Sequence, residues 1–114
     1  MMISKDCDAL LCVLYKQYLN RRAKGDSIED SGYFGDDENI RKQLMPKWSV
    51  EDIATLSWRL NGHGLLDVFP GDDKANDVCL TEEGLIYMEQ RFPTGIKAVL
   101  EHLGKLAALV APWL

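Results

Sequence analysis

The chain has 114 residues, of which 46% are apolar and 27% charged, with 13 basic and 18 acidic side chains and a formal charge of −5. That length and balance fit one domain able to bury a single core. No run reaches the roughly 18–20 apolar residues that cross a bilayer, and the N-terminal residues lack the basic-then-apolar order of a secretory signal. A cytoplasmic location without membrane contact is therefore expected. Cys7, Cys12 and Cys79 show no CxxC spacing and have no histidine near them in sequence, so neither a disulfide nor a metal site is expected. Cys7 and Cys79 read as small buried hydrophobes.

Residues 5–22 carry Cys7, Leu10, Leu11, Leu14 and Tyr18 at spacings of three and four, which predicts a helix with one apolar stripe. Ser4 is placed to cap it and Gly25 to stop it. Residues 26–37 form an acidic connector, in which Tyr33 and Phe34 stand between two glycines. They make either a short extended piece or an aromatic plug on the core. A short helix over 38–45 ends at Pro46. Ser49 caps the next, whose inward positions are Val50, Ile53, Leu56 and Leu60, and Gly62 or Gly64 turns the chain. Apolar residues at 66–69 and 78–80 flank a polar turn, the pattern of a β-hairpin. Thr81 caps a further helix with Leu85, Ile86, Met88 and Phe92 on its buried side. A last helix starts near Gly95. The expected core is Leu10, Leu14, Ile53, Leu56, Leu60, Leu65, Leu80, Leu85 and Ile86.

This order is mainly α with a small β-hairpin, an α+β class. The segment IATLSWRLNGHGLLDVF resembles the third helix and first wing strand of the winged helix-turn-helix superfamily, and VCLTEEGLIYMEQ resembles its second wing strand and following helix. In the Leu-Thr-x-x-Gly-Leu stretch the Leu closes the core, the Thr caps and the Gly lets the helix pack closely. With its extra C-terminal helix the chain also resembles the small YjcQ-like proteins of bacteria and their prophages. The resemblance implies a winged-helix domain over 1–94, followed by a helix over 95–114 that packs back or dimerises. It also implies DNA binding or transcription regulation, with the third helix in the major groove and the wing on the backbone.

The charges divide on that implication. Arg41, Lys42, Lys47, Arg59, His63 and Lys74 are the candidates for contact with double-stranded DNA. Against them stand Glu51 and Asp52 at the start of the third helix, and Asp72, Asp73 and Asp77 on a wing whose one basic residue is Lys74. The alternative is an adaptor on the same fold, possessing an acidic wing that meets a basic protein partner. A negative potential on that surface is the feature that favours the adaptor. Trp58 is read either as covering the core edge or as an interaction anchor, and Trp48 as core. His63 and His102 have no ligand-spaced partner, and His102 reads as a plain surface histidine. No nucleophile–base pair or phosphate loop stands out, so a non-enzymatic protein without cofactor is expected.

In the last helix Ile96, Val99, Leu103, Leu106, Val110, Trp113 and Leu114 supply more apolar surface than a solvated end carries. The stripe of the first helix is already claimed by the third and fourth helices, so a homodimer through residues 96–114 is expected.

Overall fold

Ser4 opens the first helix: its Oγ accepts from the Cys7 N–H at 3.1 Å, and α1 runs Lys5–Ala23. The computed structural model describes residues 1–107. There follow α2 (Ile28–Ser31), α3 (Asp37–Gln43), α4 (Val50–Gly62), β1 (Leu66–Gly71), β2 (Lys74–Leu80), α5 (Glu82–Arg91) and α6 (Ile96–Leu106). The described chain is thus mainly helical with one antiparallel hairpin, in a winged-helix-like layout. No described helix is long and apolar enough to cross a membrane.

The caps fall where the sequence puts them. Ser49 Oγ accepts from Asp52 N at 3.1 Å, and Thr81 Oγ1 accepts from Gly84 N at 2.9 Å. Gly64, at φ 77°, makes the left-handed turn, whereas Gly62 belongs to α4. Trp48 is buried, as are Leu10, Leu14, Ile53, Leu56, Leu60 and Leu65.

Four expectations need correction. First, α1 is buried on more than one stripe: Ala9, Cys12, Val13 and Tyr15 are covered as well as the predicted positions. It is the central rod, packed by α4, by α6 and by α2, and a helix covered on several sides is apolar on several sides. Second, the hairpin strands extend into the stretch taken for a turn. Asp72 and Asp73 alone form the tip, both at positive φ (52° and 56°), the backbone that a two-residue hairpin turn with matching twist requires. Asp77, at φ 47°, sits in a bulge where the register shifts between Asp67 and Phe69.

Third, a helical turn, α2, lies inside the connector. Beyond it both readings of the aromatic pair hold. The Phe34 ring is buried, and its backbone lies along β2: Phe34 N donates to Val78 O and Val78 N donates to Gly35 O, each at 2.8 Å. Arg21 holds the connector from the other side. It donates to the Tyr33 carbonyl at 2.6 Å and lies 5.0 Å over the Phe34 ring.

Fourth, Ile86 is 46% exposed, and Leu80 and Leu85 are only half-buried. Gly84 and Met88 face inward instead. The Gly84 backbone rests on Leu65, which sets the phase of α5. Ile86, two residues on, is then about 200° around the helix and points away from the core.

Candidate interaction surfaces

The expected DNA surface is assembled only in part. Lys42, Lys47, Arg59 and His63 are exposed, and Arg41 is half-buried. Arg41 and Lys42 lie in the last turn of α3, Lys47 in the α3–α4 turn, Arg59 in the last turn of α4 and His63 at its C-cap. None of them makes a salt bridge among the described residues.

Lys74 is engaged differently. Its Nζ lies 3.5 Å from Glu38 Oε2 and 3.7 Å from Asp36 Oδ2. The charge of Glu38 first, against an opposing effect of burial and with Asp36 adding to it, holds its ammonium above the usual lysine range. Beneath that pair Asp37 is buried: its Oδ2 accepts from Ala75 N at 3.0 Å and its Oδ1 from Glu38 N at 2.7 Å. These contacts seat the wing on the start of α3, with the one wing cation already neutralised. Asp67, Asp72, Asp73 and Asp77 remain exposed on the hairpin, and Glu51 and Asp52 at the start of α4. Trp58 keeps 38% of its surface in solvent.

The expected dimer surface is placed elsewhere. Val99, Leu103 and Leu106 are buried within the chain, in the same core cluster as α1, and Ile96 is half-buried. The expectation failed because it granted α1 a single stripe; α1 has a further face, and α6 takes it. Leu100, also on α6, is 50% exposed. Val110, Trp113 and Leu114 lie outside the described residues.

A polar clamp accompanies this packing, and here the reading of His102 as a surface residue is overturned. His102 Nε2 lies 2.8 Å from Asp8 Oδ2, which calls for a proton on Nε2, and Arg91 grips the same carboxylate at 2.5 and 3.2 Å. Cys12 Sγ approaches Asp8 Oδ1 at 3.5 Å. Potential ligand atoms of Asp8, Cys12 and His102 thus converge. The Arg91 guanidinium sits on the shared carboxylate, and burial first, with Asp8 next, pushes the Cys12 thiol well above its ordinary 9.0. A positive neighbour and a thiol held protonated both oppose a cation, and the group ties α1 to α5 and α6.

That clamp has a pH signature. Burial alone would raise the Asp8 carboxyl, but the hydrogen bonds and charges of Arg91 and His102 outweigh it and hold the group below its ordinary 3.8. A carboxylate lowered by folding adds stability that is complete above its unfolded pKa and is lost as pH falls through the folded one. Asp8→Asn is therefore expected to lower stability at neutral pH and to flatten the loss of stability on acidification. Urea denaturation of both proteins between about pH 3 and 7 measures it. An unchanged acid slope in Asp8→Asn would refute the clamp.

A second surface was missed from the sequence. Ile28, Tyr33 and Ile86 are all exposed apolar side chains, and they line one groove of about 790 Å³ between α2, the end of β2 and α5. Cys79, expected to be buried, is half-buried at its edge. The available signal was the adjacent pair Leu85-Ile86: with Gly84 and Met88 inward, both cannot point to the core.

No protein-family profile, curated protein or solved structure matches the chain.

Proposed function

We propose that this chain is a non-enzymatic binding module that meets a basic protein partner through its acidic wing. The observation that supports this reading best is the engagement of Lys74 by Glu38 and Asp36. A phosphate backbone approaching the hairpin meets Asp72, Asp73 and Asp77 on two strands whose one basic residue, Lys74, is already engaged, and affinity for nucleic acid rests mainly on neutralised phosphates. A cationic protein surface meets the same carboxylates favourably, which speeds encounter and selects partners.

Duplex DNA binding, with a role in transcription regulation, is the second reading. It draws on Lys42, Lys47 and Arg59, which are exposed and make no salt bridge among the described residues. One experiment separates the two: retention of random-sequence duplex DNA across a salt series, for the wild type and for Asp72→Lys with Asp73→Lys. The expected result is no retention by the wild type even at low salt, and salt-sensitive retention by the charge-reversed wing. Wild-type binding that falls steeply with salt would overturn the adaptor reading and establish the second.

A further inference from the structure

We infer that the groove between α2, β2 and α5 is the docking site for a basic amphipathic helix of a partner protein. The inference goes beyond the adaptor reading: it concerns a second surface, whose class of partner follows from its own rim. Exposed large apolar side chains are scattered singly on most surfaces. Here Ile28 (58% exposed), Tyr33 (46%) and Ile86 (46%) converge, over a floor of half-buried Leu80 and Leu85. A groove of about 790 Å³ is large enough to take several apolar side chains of a partner.

The charge on its rim selects the occupant. Glu29, Asp30, Glu82 and Glu89 line the groove, and among the described residues no Lys, Arg or His does. On α5 the order is Glu82, Leu85, Ile86, Glu89, at spacings of three, one and three. These four share one side of the helix, with the apolar pair in the middle and a carboxylate at each end. The complementary partner carries apolar anchors flanked by Lys or Arg.

Backbone pairing excludes the other common way of holding a peptide. The outer edge of β2 is already taken: Leu80 N donates to Gly32 O at 2.9 Å, and Val78 exchanges hydrogen bonds with Phe34 and Gly35. An extended peptide finds no free strand edge there to join, so recognition proceeds through side chains, as when a helix lies in a groove. The chain's own residues 108–114, Ala-Leu-Val-Ala-Pro-Trp-Leu, offer apolar anchors but no cation, and do not match the rim.

The test uses the full chain and a dye-labelled synthetic amphipathic helix of Leu and Lys, with a Leu and Glu peptide of the same pattern as control. Fluorescence anisotropy is expected to show binding of the Lys peptide and not of the Glu peptide. Ile86→Asp is expected to weaken binding about tenfold or more, as loss of a buried anchor does. Glu82→Lys with Glu89→Lys should weaken it likewise and admit the Glu peptide. Both sets of positions are exposed or on the rim, so the fold tolerates them. Asp72→Lys with Asp73→Lys should leave the affinity within about twofold, since rim charges remote from the groove contribute little.

The proposal is overturned if the Lys peptide does not bind, if Ile86→Asp leaves its binding intact, or if the Glu peptide binds the wild type equally well, which would indicate a purely apolar ligand. It is also overturned if a chain ending at Ala107 gains affinity, which would make residues 108–114 the occupant. DNA retention by the wild type would defeat the wing reading alone, whereas failure of the peptide arms would defeat the groove alone.

Discussion

Gly84→Ala is expected to destabilise the protein by about 3 kcal/mol or more, at the upper end of what overpacking costs. A Cβ built on Gly84 falls 2.2 Å from the carbonyl oxygen of Leu65 and 3.1 Å from its carbon. Both are backbone atoms, at the entry to the hairpin, and neither can rotate aside as a side chain would. The first turn of α5 must lift, which also strains the Thr81 cap, where Oγ1 donates to Gly64 O at 2.7 Å. Gly104 provides the contrast. It lies in α6 with nothing within 4 Å of its Cβ position, so Gly104→Ala should gain up to about 1 kcal/mol from helix propensity alone. Thermal or urea denaturation of the two variants side by side checks the expectation. Equal stabilities would show that α5 does not rest on Leu65.

Phe34→Ala is the second large effect, expected to cost about 3–5 kcal/mol, the range for truncating a buried aromatic ring. The ring is almost wholly buried and lies under the Arg21 guanidinium. Removing it empties the site and takes away the surface on which Arg21 lies. Arg21 holds the carbonyls of Ser31 and Tyr33 as well, so Arg21→Ala should be destabilising alone and less so in the Phe34→Ala background. A double-mutant cycle measures that coupling. Strictly additive losses would mean that the ring and the guanidinium act independently.

These two residues also show what the sequence makes legible. Gly84 could be assigned its role from Leu80-Thr81-x-x-Gly84 alone, because a cap, a tight approach and a closing Leu are local requirements. The same locality made the Ser4, Ser49 and Thr81 caps and the hairpin readable. Phe34 could only be offered as strand or plug: its backbone partner, Val78, lies far along the chain and leaves no periodic trace. The errors share this origin. His102 has no ligand-spaced partner in sequence and reads as a surface residue, whereas its partner is Asp8, 94 residues away. Lys74 was counted as a wing cation, whereas Glu38 and Asp36 come from another element. The spacing of Leu85, Ile86, Met88 and Phe92 puts Ile86 on the inward side, and only the contact of Gly84 with Leu65 sets the phase that turns it outward.

The Asp8 clamp bears on the order in which the molecule can be made. Asp8 belongs to α1, but its partners Arg91 and His102 follow 83 and 94 residues later in the chain. At roughly 5–20 residues per second, the second partner is polymerised some 5 to 20 seconds after the first helix. Throughout that interval α1, which ends up covered on several sides, has neither the partners of its carboxylate nor the packing of α6 against it. Contacts this distant in sequence slow folding, because the intervening chain must be closed first. The nascent chain therefore presents an apolar rod until α6 has been made. Its final collapse is a late, concerted event, and a ribosome stalled before residue 91 would hold a substrate for chaperones.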